Sequence, residues 1–152
     1  MAELKDRLRN DLTTSMRGRD ELRIATIRMA LAAITNAEVA GAQARELSDD
    51  EVLAVLTKEA KKRREAADAF RGAGRADRAE REEAEADVIA DYLPRPLTED
   101  ELGVLADAAV AEVGATSMRD MGAVMKHLAP SVTGRADGRA VAAAVKARLA
   151  GA

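Results

Sequence analysis

Two short stretches carry residues whose types and spacing could do chemistry. The first is Gly134-Arg135-Ala136-Asp137-Gly138-Arg139. Asp137 fits a helix cap, with Gly138 and Arg139 in the first turn behind it. A helix start offers free N–H groups, and two arginines beside it add charge, so phosphate is the ligand such a turn would hold. The plainer alternative is a capped loop-to-helix turn with solvated arginines. It is no P-loop, because Gly-x-x-x-x-Gly-Lys-Ser/Thr never occurs. The second stretch is Lys58, Lys61, Lys62, Arg63 and Arg64, where positions 58, 61, 62 and 65 share one helix face. Such a face could meet RNA or an acidic partner. The favoured reading is blander: pairing with the acidic run 80–91, or simple solvation.

Other candidates fall to elementary requirements. His127, the one histidine, follows Lys126 near a helix end, where a cation suits the dipole. It has no second His and no Cys to share a metal, so no metal site and no cofactor are expected. Met118, Met121 and Met125 recur at helical spacing and read most simply as core, with a partner groove as the alternative. The acids of 80–91 diverge around a helix, whereas two-carboxylate chemistry needs them to converge in a cleft. Ser15, Ser48, Ser117 and Ser131 lack a base. No catalytic residue is assigned.

Composition narrows the field further. The chain has 152 residues, with 24 Lys+Arg against 27 Asp+Glu and a net charge of −3. Cys and Trp are absent, and the aromatics are Phe70 and Tyr92 alone. Thiol chemistry, disulfide frameworks and iron–sulfur clusters are therefore excluded. So is a reader that stacks a series of bases on aromatic rings. Alanine occurs 35 times, which favours helix over sheet. No apolar run is long enough to span a membrane, and the first residues lack the apolar stretch of a signal peptide. A soluble, cytoplasmic chain is expected.

The elements that must position these residues follow from period and punctuation. Leu4, Leu8, Leu12 and Met16 predict a helix over about 2–17, interrupted at Gly18. Ile24, Ile27, Leu31 and Ile34 predict a second over about 20–40, ended at Gly41. Ser48 and Glu51 form a capping box, with Leu47 and Val52 as its staple, and open a third helix running to about Arg71. Gly72-Ala73-Gly74 turns the chain into an antiparallel fourth helix over about 76–92. Leu93-Pro94-Arg95-Pro96 is the clearest boundary. Domains over 1–93 and 97–152 are expected. Thr98 and Glu101 repeat the capping pattern, and three helices follow: one closed by Gly114, one over Met118–Leu128 closed near Pro130, and one over Val141–Leu149.

The small net charge conceals a gradient. Residues 1–93 hold 17 basic and 20 acidic side chains, while 117–152 hold 6 basic and 2 acidic.

Taken together, four blocks resemble the YqeY family, also called the GatB/YqeY domain family. They are Ile24-Ala-Thr-Ile27-Arg28-Met29 with Asn36-Ala37-Glu38; Glu83-Ala84-Glu85 with Tyr92-Leu93-Pro94; Ser117-Met118-Arg119-Asp120-Met121-Gly122-x-Val124-Met125; and Gly134-Arg135-Ala136-Asp137-Gly138. The resemblance implies an all-α fold: a four-helix N-terminal region and a C-terminal three-helix unit. That unit is similar to the tail domain of the B subunit of the tRNA-dependent Glu-tRNA/Asp-tRNA amidotransferase, which helps hold tRNA. Carried over, the tail's role points to Arg119, Lys126, Arg135, Gly138, Arg139 and Lys146; Lys58, Lys61 and Lys62 stand beside these as a secondary basic face read from charge pattern alone. Expected partners are tRNA or a translation or amidotransferase protein. The family's label of carbon–nitrogen ligase with glutamine as amide donor belongs to the larger enzyme, and no self-contained catalysis is expected here.

Overall fold

A computed structural model describes residues 3–151. The expected helix start at Ala2, and the outermost positions of the two expected domains, lie outside the described residues. The chain is all-helical: α1 (Glu3–Arg17), α2 (Glu21–Val39), α3 (Asp49–Gly72), α4 (Ala76–Ala90), α5 (Glu99–Val113), α6 (Met121–Val132) and α7 (Gly138–Ala150), with one 3-10 turn at Met118–Asp120. No strand occurs among the described residues. The chain divides into two compact units between Leu93 and Pro94.

In the first unit the four-residue repeat of α1 sends Leu8 inward, and α2 supplies Ile27, Ala30 and Ile34. Val52, Leu56 and Ala60 of α3 close on them, with Val88 and Ile89 of α4, and with Leu47 and Tyr92. The Ser48 capping box forms: its hydroxyl accepts from Glu51 N–H, and the Glu51 carboxylate accepts from Ser48 N–H. α3 and α4 lie antiparallel, joined by a turn in which Gly74 takes φ +74, the left-handed region open to glycine. Away from the core this pair closes through Ala67, Ala79 and Ala86, small residues that let helix backbones approach.

Polar groups fix the unit's ends. Lys5 and Glu38, both nearly buried, meet at 2.7 Å, and the other Glu38 oxygen accepts from Leu47 N–H at 3.2 Å. One carboxylate thus ties α1, α2 and the segment before α3 together. The hydrogen bond from Lys5, then that from Leu47, holds Glu38 below the usual carboxylate range. Tyr92 donates to Asp11 at 2.5 Å beneath the Arg7 guanidinium, 4.6 Å from its ring centre. Burial, and then the Asp11 hydrogen bond, push its phenol up to about 12.

The second unit packs Leu102, Ala106 and Ala109 of α5 against Val124, Leu128 and Val132 of α6 and Val141, Val145 and Leu149 of α7. Thr98 and Glu101 form a second full capping box, and Gly114 ends α5 at φ +71. Gly103 makes room for α7: a Cβ there would stand 2.7 Å from Arg148 Nη2. Arg148 reaches across to Asp107 at 2.5 Å. α6 ends at Val132, two residues past Pro130 and so near it as expected; a proline in the last turn forfeits one hydrogen bond without stopping the chain. One expectation is corrected. Met118 sits in the 3-10 turn before α6 and is 43% exposed, while Met121 and Met125 are partly buried against the core.

Candidate nucleic-acid interface

The α6–α7 connection is built around Arg135. Gly134 takes φ +76, turning the chain so that Arg135 N–H reaches Val132 O at 2.9 Å. Arg135 O accepts from Leu97 N–H at 2.8 Å, and Arg135 Nε donates to Arg95 O at 3.3 Å. Arg95 in turn grips Glu101 with both Nη atoms, at 3.1 and 2.9 Å. That grip, and then the Thr98 hydroxyl, lower the Glu101 carboxyl to about 2. Arg135 therefore ties the proline segment to the α6–α7 loop as well as carrying charge, a role its position in a Gly-Arg-Ala-Asp-Gly run did not reveal.

Asp137 caps α7 as expected, accepting from Arg139 N–H at 3.2 Å. The cap weakens one part of the phosphate idea. Its carboxylate uses an N–H and puts negative charge where an anion would otherwise sit. The cations nearby must do the attracting. Arg139 and Lys146, seven residues apart, fall on one exposed stripe of α7, beside the face that buries Val141, Val145 and Leu149. Lys126 is exposed on α6, on the side away from Val124, and Arg119 is exposed on the 3-10 turn, which packs on α6 and α7. None of these four cations has an ion pair among the described residues. Gly138 is exposed at the start of α7 and offers no side chain. His127 meets Glu112 of α5 at 2.5 Å.

On α3 the expected pairing takes a different form. Lys58, Lys61 and Lys62 are exposed and make no ion pair among the described residues. Their neighbour Arg63 is the cation that turns inward. It is 7% exposed, bonds Glu59 at 2.6 Å and lies 3.3 Å from Glu85 of α4. Arg81 holds the other Glu85 oxygen at 3.1 Å, and Arg71 holds Glu83 at 2.6 Å. Arg63 could have been separated from the lysines beforehand, because it follows Val52, Leu56 and Ala60 in the buried register of α3.

These features define an all-helical protein of two units, the second presenting, around a capped helix, cations that make no ion pair among the described residues. The chain belongs to the YqeY family: the family model described as Yqey-like protein matches residues 5–149. No curated protein matches the chain. Among the described residues no helix is long and apolar enough to cross a membrane.

Proposed function

We propose that this protein is a tRNA-associated accessory protein that grips phosphate through its second unit and carries out no catalysis alone. One observation carries the reading. Arg119, Lys126, Arg139 and Lys146 are all exposed and free of ion pairs among the described residues, within a segment holding 6 basic and 2 acidic side chains. The family's likeness to an amidotransferase tail domain supports tRNA as the target. With Phe70 and Tyr92 the only aromatics, the grip is on phosphate and shape rather than on stacked bases.

Binding of purified tRNA across a salt series tests this. Counterion release gives a slope of about −0.7 to −0.9 in log K per log salt for each phosphate neutralised. Arg139→Glu with Lys146→Glu is expected to abolish measurable binding while leaving helical content intact. Arg135 is the poorer probe, since its change also cuts the tie to Arg95. Unchanged affinity in the double variant would refute the site.

A second reading is a module that docks on an amidotransferase or another translation protein. The exposure of Met118 and Val104 supports it. A specific protein retained after RNase treatment, and lost on changing Met118 rather than Arg139, would favour it. Glutamine-dependent amidation by the repurified chain would overturn the absence of catalysis.

A further inference from the structure

We propose that Lys58, Lys61 and Lys62 of α3 form a second phosphate-contacting surface, on the first unit, for the same RNA; the proposal rests on the RNA reading above. The three lysines are exposed on one side of a 24-residue helix, opposite the face that buries Val52, Leu56, Ala60, Arg63 and Ala67. Lys58 stands at i,i+3 and i,i+4 to the other two, spacings at which like charges repel and weaken a helix.

The fold contains carboxylates that could have relieved this, and they are committed elsewhere. Glu59 and Glu85 hold Arg63, Glu85 also holds Arg81, Glu83 holds Arg71, and Glu51 holds Arg45. Arg64, three residues after Lys61, lines a groove between α3 and α4 with Asp68, Glu83 and Asp87. Glu65, four residues after Lys61 and three after Lys62, is exposed and makes no ion pair with them among the described residues, and Asp68 lies 4.0 Å from Arg71.

Three exposed cations, with Lys58 at repelling distance from the other two, fit a partner that brings the negative charge. The surroundings select its class. Protein interfaces carry an apolar centre inside a polar rim. Here the exposed neighbours on this side of α3 are Asp50, Ala54, Glu65, Asp68 and Ala69, which gives no such centre. Lysine ammonium groups on flexible stems suit a phosphate backbone, where position along the strand is not read.

The test uses the full chain, purified tRNA and a salt series. The Lys58→Gln/Lys61→Gln/Lys62→Gln variant is compared with Arg139→Gln/Lys146→Gln and with Lys58→Arg/Lys61→Arg/Lys62→Arg. The glutamine triple is expected to lose at least tenfold in affinity at low salt and to reduce the salt slope by about 2 to 3, one step per released phosphate contact. The arginine triple is expected to keep both. Circular dichroism of both triples should match the parent, the urea midpoint of the arginine triple should be unchanged, and that of the glutamine triple should hold or rise slightly as the repulsion is removed. If the parent binds tRNA and the glutamine triple binds it with unchanged slope, the α3 surface is refuted and the second-unit reading stands. If the triple weakens binding while the 139/146 variant does not, the α3 surface stands and the second-unit site is refuted. A parent that binds no tRNA refutes both. An acidic protein captured after RNase treatment, and lost in the triple, refutes RNA as the occupant.

Discussion

Arg63 illustrates how one side chain is assigned its role by its neighbours rather than its type. A guanidinium 7% exposed is tolerated because two carboxylates and a backbone carbonyl surround it: Glu59 supplies an oxygen and its own carbonyl, and Glu85 approaches from α4. Its Nη2 is 3.6 Å from the Met29 sulfur of α2, so the ion cluster links three helices. Arg19 shows the opposite situation. It occupies the turn between α1 and α2 at φ +55, the one positive-φ residue other than glycine among the described residues. Asp20 N–H reaches back to Ser15 O at 3.0 Å and Arg19 N–H to Met16 O at 3.3 Å, the paired bonds of a helix C-terminus that normally places glycine in the left-handed position. Here glycine stands one residue early, at Gly18. Arg19 is exposed, so nothing visible offsets the strain. Arg19→Gly is expected to stabilise the chain by about 0.5–1 kcal/mol, the left-handed cost less the extra freedom of an unfolded glycine. A urea midpoint that fell instead would place Arg19 in an interaction outside the chain.

The helices owe their boundaries to short sequence signals, and these were the most legible part of the fold. Ser48, Thr98 and Asp137 each cap the helix they were expected to cap, because capping depends on residues within one turn of one another. Ser48→Ala and Thr98→Ala are each expected to cost about 1 kcal/mol, read from denaturant unfolding. The boxes also make stability depend on acid. Arg45, then the Ser48 backbone, hold the Glu51 carboxyl at about 2, and Arg95, then Thr98, hold Glu101 at about 2, against an ordinary 4.5. A carboxyl held low contributes fully above its unfolded value and loses that contribution as pH falls toward its folded value. Stability is therefore expected to drop between about pH 4.5 and 2. Glu51→Gln and Glu101→Gln should each flatten that drop, in urea titrations at stepped pH. What the sequence concealed was tertiary. The register of α3, about 100° of rotation per residue, separates Arg63 from the lysines, but nothing local names its partner Glu85, which comes from α4. The tie from Arg135 to Arg95 joins residues 40 apart in sequence, beyond any local pattern. The candidate site was thus legible as a set of cations, but not in which of them the fold had already engaged.

At the scale of the whole molecule, the two hydrophobic cores have no residue in common. One draws on residues from Leu8 to Tyr92, the other on residues from Leu102 to Leu149. The proline segment belongs with the second, since Arg95 grips Glu101 and Leu97 bonds Arg135. Charge divides in the same place: up to residue 93 acids outnumber bases by 20 to 17, and from 94 onward the counts are 7 and 7. A fragment starting at Pro94 should therefore retain its own caps, core and cations. Its stability is expected to be modest, about 3–5 kcal/mol, because a core of this size buries a smaller fraction of its chain. Circular dichroism should show a helical fragment with a cooperative melt, lowered by Thr98→Ala. Arg95→Ala should lower it less, since the Arg95–Glu101 pair is exposed and the bonds between Arg135 and the backbone of the proline segment remain. A fragment that is helical but melts without cooperativity would mean that its core needs the first unit. A fragment that folds and still binds tRNA, with a shallower salt slope than the full chain, is the outcome expected if both units hold phosphate.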